Sequence, residues 1–276
     1  MPDRQEAIKN FLSANGWGQA LRIPLTGDAS FRRYERLALS GRKVLLMDAP
    51  PPLESVDKFV SIALHLKSLG FSTPNIYAKE IDLGFLIIED LGDETFTKIL
   101  STQEGETEID LYSLAVDVLI NLHGISKDLV LPPNTPEYSI ERLLDETQLL
   151  CDWTWGAIFG KPPEKAIKDS YQDSWEEALS HLSHQFETLV LRDYHVDNLM
   201  FLKSRSGIAR CGLLDFQDAV LGHRAYDLMS LLEDARRDIR PDLKEKMLER
   251  YFAAFPTLRR EPFTAAFTVL AAQRHA

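Results

Sequence analysis

The chain of 276 residues carries 42 Asp and Glu against 31 Lys and Arg, a formal net charge of −11. Such a surface repels phosphate backbones and argues against nucleic acid as a partner, although a few local cations suffice to hold a nucleotide. The hydrophobic share of 45% permits a sizeable core, and the two cysteines, Cys151 and Cys211, form neither a zinc motif nor a disulfide framework.

No signal-like apolar stretch follows the charged start, and the longest apolar runs, such as Phe85-Leu-Ile-Ile88, are far too short for a bilayer. A soluble, cytoplasmic monomer without a membrane partner is expected. The spacing of Ile8, Phe11 and Leu12 predicts a helix near 3–14, closed by Trp17-Gly18. Strands are predicted at 21–25, 31–37 and 44–47, with turns at Thr26–Ser30 and Ser40-Gly41. After Ala49-Pro-Pro-Pro52, residues 55–69 read as a helix with Val56, Phe59, Val60, Ala63, Leu64 and Leu66 on its apolar side, ended by Gly70. Ile76-Tyr77 and Phe85–Ile88 read as two more strands, so the first ninety residues predict an antiparallel five-stranded sheet with one inserted helix.

Beyond Glu89-Asp-Leu-Gly92 helices dominate, predicted near 93–100, 108–123, 139–150, 164–187, 225–238, 242–254 and 262–274. Two short apolar strands interrupt them, Thr188–Leu191 and Cys211–Leu214. The last helix nears Ala276 without a stop signal, as a shortened chain would. The fold class is α+β, with a sheet-rich lobe at 1–90 and a helical lobe at 91–276, and the lobe boundary at 89–93.

The chemistry concentrates in Leu191-Arg-Asp-Tyr-His-Val-Asp-Asn198 and Leu213-Leu-Asp-Phe-Gln217. Asp193 sits at the tip of one strand. Asn198 returns five residues later, and Asp215 ends a second strand whose hairpin partner is 199–203. An isolated Asp-x-x-x-x-Asn is a common polar turn. Between two apolar strands, with Asp215-Phe216 one hairpin later, it matches what phosphoryl transfer from ATP needs. One carboxylate, Asp193, accepts the proton of the acceptor hydroxyl, while a carboxamide, Asn198, and a second carboxylate, Asp215, hold Mg²⁺ against the phosphates. ATP is expected between the lobes. Asp197 and Asp218 read as solvated loop carboxylates.

Here the chain resembles the aminoglycoside phosphotransferase branch of the protein-kinase-like superfamily. That branch shows Gly-Asp-x-His-x-x-Asn, and this chain has Arg192, Asp193, His195 and Asn198. Gly27-Asp-Ala-Ser-Phe-Arg-Arg-Tyr34, Met47-Asp-Ala-Pro-Pro51, Ile88-Glu-Asp-Leu-Gly92 and Gly222-His-Arg-Ala-Tyr-Asp-Leu-Met-Ser-Leu-Leu232 add a likeness to the N-acetylmuramate/N-acetylglucosamine anomeric sugar kinases. The resemblance implies a bilobal protein-kinase-like fold, ATP and Mg²⁺, and a sugar 1-phosphate product in cell-wall recycling. It also implies that His195 supports the loop from behind; it is carried here among the substrate-side residues. Two alternatives stand beside this reading: an aminoglycoside- or choline-type small-alcohol kinase, and a nucleotide-binding pseudokinase module.

Other positions carry two readings each. Gly27, Ala29 and Ser30 form either a hairpin turn or a phosphate-covering loop. Arg32 and Arg33 face opposite sides of a strand, with Arg32 the choice for phosphate. Glu89, Asp90 and Leu91 are a strand exit or a hinge whose main chain meets adenine. Trp153 and Trp155 are buried anchors or a sugar platform. Glu146 and Asp152 are surface charges or partners of sugar hydroxyls. Asp227 reads as a structural brace. The Lys–Glu pair of protein kinases is missing: the only lysine near the third strand is Lys43, and apolar residues stand where its partner would be. Arg32 or Arg33 is the replacement cation.

Overall fold

The computed structural model describes residues 4–25, 31–102, 107–182 and 186–276. In chain order the elements are α1 (Arg4–Ala14), β1 (Leu21–Pro24), β2 (Arg33–Leu39), β3 (Arg42–Asp48), α2 (Val56–Ser68), β4 (Ile76–Glu80) and β5 (Phe85–Glu89). Then follow α3 (Phe96–Thr102), α4 (Glu108–His123), α5 (Lys127–Val130), α6 (Ile140–Leu149), a π-helical turn (Leu150–Thr154), α7 (Trp155–Phe159) and α8 (Lys165–Ser180). The remainder is β6 (Thr188–Val190), β7 (Leu199–Phe201), β8 (Cys211–Leu213), β9 (Val220–Gly222), α9 (Ala225–Leu232), α10 (Pro241–Ala254) and α11 (Arg260–Arg274). The fold is α+β. Among the described residues no helix is long and apolar enough to cross a membrane.

The chain forms two compact units, Met1–Glu94 with Met200–Asp218, and Thr95–Leu199 with Ala219–Ala276. The first is built on an antiparallel sheet in the order β1-β2-β3-β5-β4. The β2–β3 hairpin turns through Ser40 and Gly41 at φ +50° and +78°, the left-handed pair a two-residue loop needs to follow strand twist. Ile8, Phe11 and Leu12 of α1 pack with Leu37, Val44, Leu46, Phe85 and Ile87 of the sheet into one buried cluster. Gly84 is forced by contact: a Cβ there would lie 1.9 Å from Ala49 O.

Residues 200–218, expected among the helices, pack with the sheet unit. Leu213 N donates to Ser72 O at 2.7 Å, Ser72 Oγ to Ala209 O at 2.7 Å, and Phe201 N to Glu94 O at 2.8 Å. Phe59 of α2 stacks on Phe216 with centroids 5.1 Å apart.

In the second unit a Thr107–Asp110 capping box starts α4, satisfying N–H groups the first turn leaves open. Every residue of α9 is buried, and this helix packs against α4 and α11. It stops at Leu232, short of the expected 238, because Asp234 Oδ1 accepts the Arg236 N–H at 3.0 Å and offers the backbone a turn instead. The expected helix 139–150 gives way at Leu150 to the π-helical turn, and the expected 164–187 ends at Ser180.

Candidate active site

In the helical unit the loop after β6 carries Arg192 at φ +70°, a conformation a non-glycine residue adopts only when its surroundings hold it. Asp227, fully buried at the start of α9, supplies the hold: its carboxylate accepts Leu191 N at 2.7 Å and Arg192 N at 2.9 Å. Burial pushes the Asp227 carboxyl up to about 7, while these two N–H groups and the Arg274 charge pull it down.

Asp193 stands at the tip with a side chain 39% exposed, and its Oδ1 accepts from Arg274 Nη2 at 3.2 Å. Asn198 turns Nδ2 inward, donating to Asp193 O at 3.0 Å and meeting His195 Nε2 at 3.2 Å. Its other amide atom, Oδ1, is an oxygen of the kind hard cations accept. His195 is 5% exposed. Burial, then the Arg236 charge, holds its pKa below the ordinary histidine value, so the ring is neutral at pH 7. Since Asn198 Nδ2 is a donor, Nε2 accepts and the proton sits on Nδ1, 3.7 Å from Asp197 Oδ2. The ring is thus held between Asn198 and Asp197. Asp197 in turn accepts from Thr97 Oγ1 of α3.

Glu146 is engaged within the chain. It accepts from Tyr138 OH at 2.6 Å, Arg192 Nη2 at 3.0 Å and Gln273 Nε2 at 3.2 Å. It therefore ties α6 to the loop rather than presenting a free carboxylate. Asp152 pairs with Lys168 at 2.7 Å on the surface. Trp153, for which a buried anchor was the plainer reading, is 74% exposed on the π-helical turn. Trp155 is half-buried against Phe159, with centroids 4.6 Å apart.

In the sheet unit Asp215 follows β8 at φ +54°. Its Oδ1 accepts from Arg32 Nη2 at 3.1 Å and from Gln217 Nε2 at 2.9 Å. Arg32, with a side chain 12% exposed, also lies 3.7 Å from Glu54. Burial opposes its charge, but Tyr34, Asp215 and Glu54 outweigh burial, and the guanidinium stays ionised. Arg33 is exposed. Lys43 is exposed on β3, whereas the Arg32 side chain is largely covered and lies between Asp215 and Glu54, the latter at the entry to α2.

At the strand exit the side chains are tied down: Glu89 accepts from Arg205 at 2.7 Å and Asp90 from Arg36 at 2.6 Å. Glu89 N–H is committed to Asn75 O at 2.8 Å. Gly27, Ala29 and Ser30 lie outside the described residues. Sequence reading missed Gln217, Arg274 and the Glu54 partnership. Gln217 had a signal, standing two residues past Asp215; Arg274 had none, lying 81 residues from its partner.

Taken unit by unit, each donor is of a kind that Mg²⁺ accepts: a carboxamide oxygen on Asn198, and on Asp215 a carboxylate with one oxygen already paired with Arg32. The solved structure of an aminoglycoside-3'-phosphotransferase of type VIII shares the fold, with a TM-score of 0.61 over 96% of this chain and 97% of its own at 14% identity. That likeness is one of fold. The chain belongs to the phosphotransferase enzyme family, whose sequence profile matches residues 22–263. An N-acetylmuramate/N-acetylglucosamine kinase of Caulobacter vibrioides is 34% identical over 98% of this chain and 82% of its own length. Another protein so named, from Pseudomonas putida, is 34% identical over 83% of this chain and 65% of its own length. The chain is an enzyme, an ATP-dependent kinase.

Proposed function

We propose that the enzyme transfers the γ-phosphoryl group of Mg·ATP to the anomeric hydroxyl of N-acetylmuramate or N-acetylglucosamine, giving a sugar 1-phosphate for cell-wall recycling in the cytoplasm. The observation that carries this reading is 34% identity, along 98% of the chain, to a relative named for those two sugars. An anomeric hydroxyl is more acidic than an ordinary alcohol, so an aspartate suits it as proton acceptor.

In this reading Asp193 orients the hydroxyl and takes its proton. Asn198 and Asp215 would hold Mg²⁺, which when bound supplies positive charge to the phosphate oxygens. Arg32 is the cation of the sheet unit that meets phosphate in place of the missing lysine. The Asp90–Leu91 main chain takes adenine, and Gly27, Ala29 and Ser30 cover the phosphates. Trp153 offers an aromatic face to sugar C–H groups, with Asp152 beside it for a hydroxyl. His195 and Glu146 brace the loop. Most of the rate enhancement comes from positioning and charge neutralisation. The enzyme is expected to act as a monomer.

An acceptor panel in an ADP-release assay tests the reading. Turnover is expected with the two amino sugars and not with kanamycin or choline. Turnover confined to amino-alcohols would replace the sugar assignment, and no ADP with any acceptor would replace catalysis by nucleotide binding alone.

A further inference from the structure

The last turn of α11 reaches the loop that carries Asp193. Arg274 donates from Nη2 to Asp193 Oδ1 at 3.2 Å, and from Nη1 to Arg192 O at 3.2 Å and Tyr226 OH at 3.0 Å. Its side chain is 19% exposed, and its guanidinium lies over the Tyr226 ring, 5.7 Å from the centroid. The neighbouring Gln273 donates to Glu146 Oε2 at 3.2 Å, and Glu146 Oε1 accepts from Arg192 Nη2 at 3.0 Å. Residues 192–193 are therefore gripped twice by one helix end, directly by Arg274 and indirectly through Gln273, Glu146 and the Arg192 side chain.

Arg192 O also accepts from Ser230 Oγ at 3.3 Å, and Arg192 N from Asp227. These contacts fix the backbone of the turn, but neither touches the Asp193 carboxylate. Arg274 does both. A half-exposed carboxylate left to itself rotates among several orientations; a planar guanidinium anchored at two other acceptors fixes one of them.

We propose that Arg274 is a positioning residue for the proton acceptor, holding Asp193 Oδ1 and the Arg192 carbonyl so that Oδ2 meets the acceptor hydroxyl. The proton of that hydroxyl passes to Oδ2 as the oxygen–phosphorus bond forms and the bond to ADP breaks. The inference rests on reading Asp193 as the base. It assigns the C-terminal helix a part in turnover, at a residue far from the loop in sequence.

The test follows ADP release by the full chain, wild type against Arg274→Ala, Arg274→Lys, Asp193→Asn and the Asp193→Asn/Arg274→Ala double variant. Each is assayed with either sugar and with water as the only acceptor. Arg274→Ala is expected to lower kcat about 10²-fold, as loss of alignment does, with KM for ATP and sugar nearly unchanged. Arg274→Lys should recover part of the rate, and the double variant should be no slower than Asp193→Asn alone, since the two residues act as a unit. A kcat for Arg274→Ala equal to wild type overturns the proposal. So does a double variant slowed by the product of the two single effects, the mark of a general structural defect. If wild type phosphorylates neither sugar, the acceptor reading fails while ADP release to water still reads Arg274: a slower rate supports the positioning role, an equal one removes it. Should Arg274→Ala not fold, Arg274→Lys is judged by the same criteria, with a lowered kcat at unchanged KM expected and a wild-type kcat contradicting.

Discussion

Arg32 and Asp215 are joined by a hydrogen-bonded ion pair of 3.1 Å across 183 residues of sequence, with Glu54 3.7 Å from the same guanidinium. Arg32 is thus partnered before any nucleotide arrives, and its fixed fork is suited to phosphate oxygens.

Arg32→Gln should therefore weaken nucleotide binding. A hydrogen bond to a charged group contributes about 1.5–3 kcal/mol, so KM for ATP should rise about 10- to 100-fold. Steady-state kinetics with ATP varied, supported by calorimetry of ATP binding, measures it. An unchanged KM would remove Arg32 from the phosphate site. Arg33→Gln, altering an exposed side chain on the same strand, should leave KM unaltered.

Trp153→Ala should raise KM for the sugar several-fold, because stacking on an aromatic face is worth about 1 kcal/mol or more. KM for ATP and the melting temperature should hold, since the indole is 74% exposed and contributes little to the core. A drop in melting temperature with unchanged sugar kinetics would return Trp153 to a packing role.

Asp227→Asn should destabilise the protein by about 1–3 kcal/mol, because an amide cannot accept both the Leu191 and Arg192 N–H groups, and one buried donor loses its partner. Chemical denaturation of the two proteins gives the number. Equal midpoints would mean the turn at Arg192 is held by other contacts.

Acid should weaken the fold through His123. This histidine is buried at the end of α4 with Nδ1 2.7 Å from Tyr251 OH, and burial lowers its pKa to about 3. Its folded pKa lies below its unfolded value near 6.5. The unfolded chain therefore takes a proton that the folded chain refuses, and stability falls as pH drops from 6.5 toward 3. At pH 5 the loss from this one group is about 2 kcal/mol. Melting curves at pH 7.5 and 5 should show a smaller decline for His123→Gln than for wild type. Equal declines would show that His123 is protonated in the folded state.

The parts of the fold legible in sequence are those fixed by local pattern. Ser40-Gly41 announced its hairpin because two left-handed residues satisfy that turn, and α4 followed from apolar spacing between Glu108 and His123. Asp193, Asn198 and Asp215 could be picked out as candidates because two apolar strands bracket them. What escaped depends on contacts distant in sequence. Residues 200–218 join the sheet unit through Ser72 and Phe59, partners more than a hundred residues away. The end of α9 turned on one side chain, Asp234, competing for a backbone N–H. The π-helical turn has no composition of its own, and the exposure of Trp153 follows from it. Glu146 read as either a surface charge or a partner of sugar hydroxyls, and its internal ties were hidden because Tyr138, Arg192 and Gln273 converge on it from three separate segments.

In the proposed reaction Asp193 accepts the proton of the acceptor hydroxyl during phosphoryl transfer. Asp193→Asn keeps the shape of the side chain and removes its basicity, so it is the most direct test. Measured as kcat with N-acetylmuramate beside calorimetric affinity for Mg·ATP, the variant should lose about 10²- to 10⁴-fold in turnover while binding nucleotide as wild type does. Turnover at the wild-type rate would contradict the assignment.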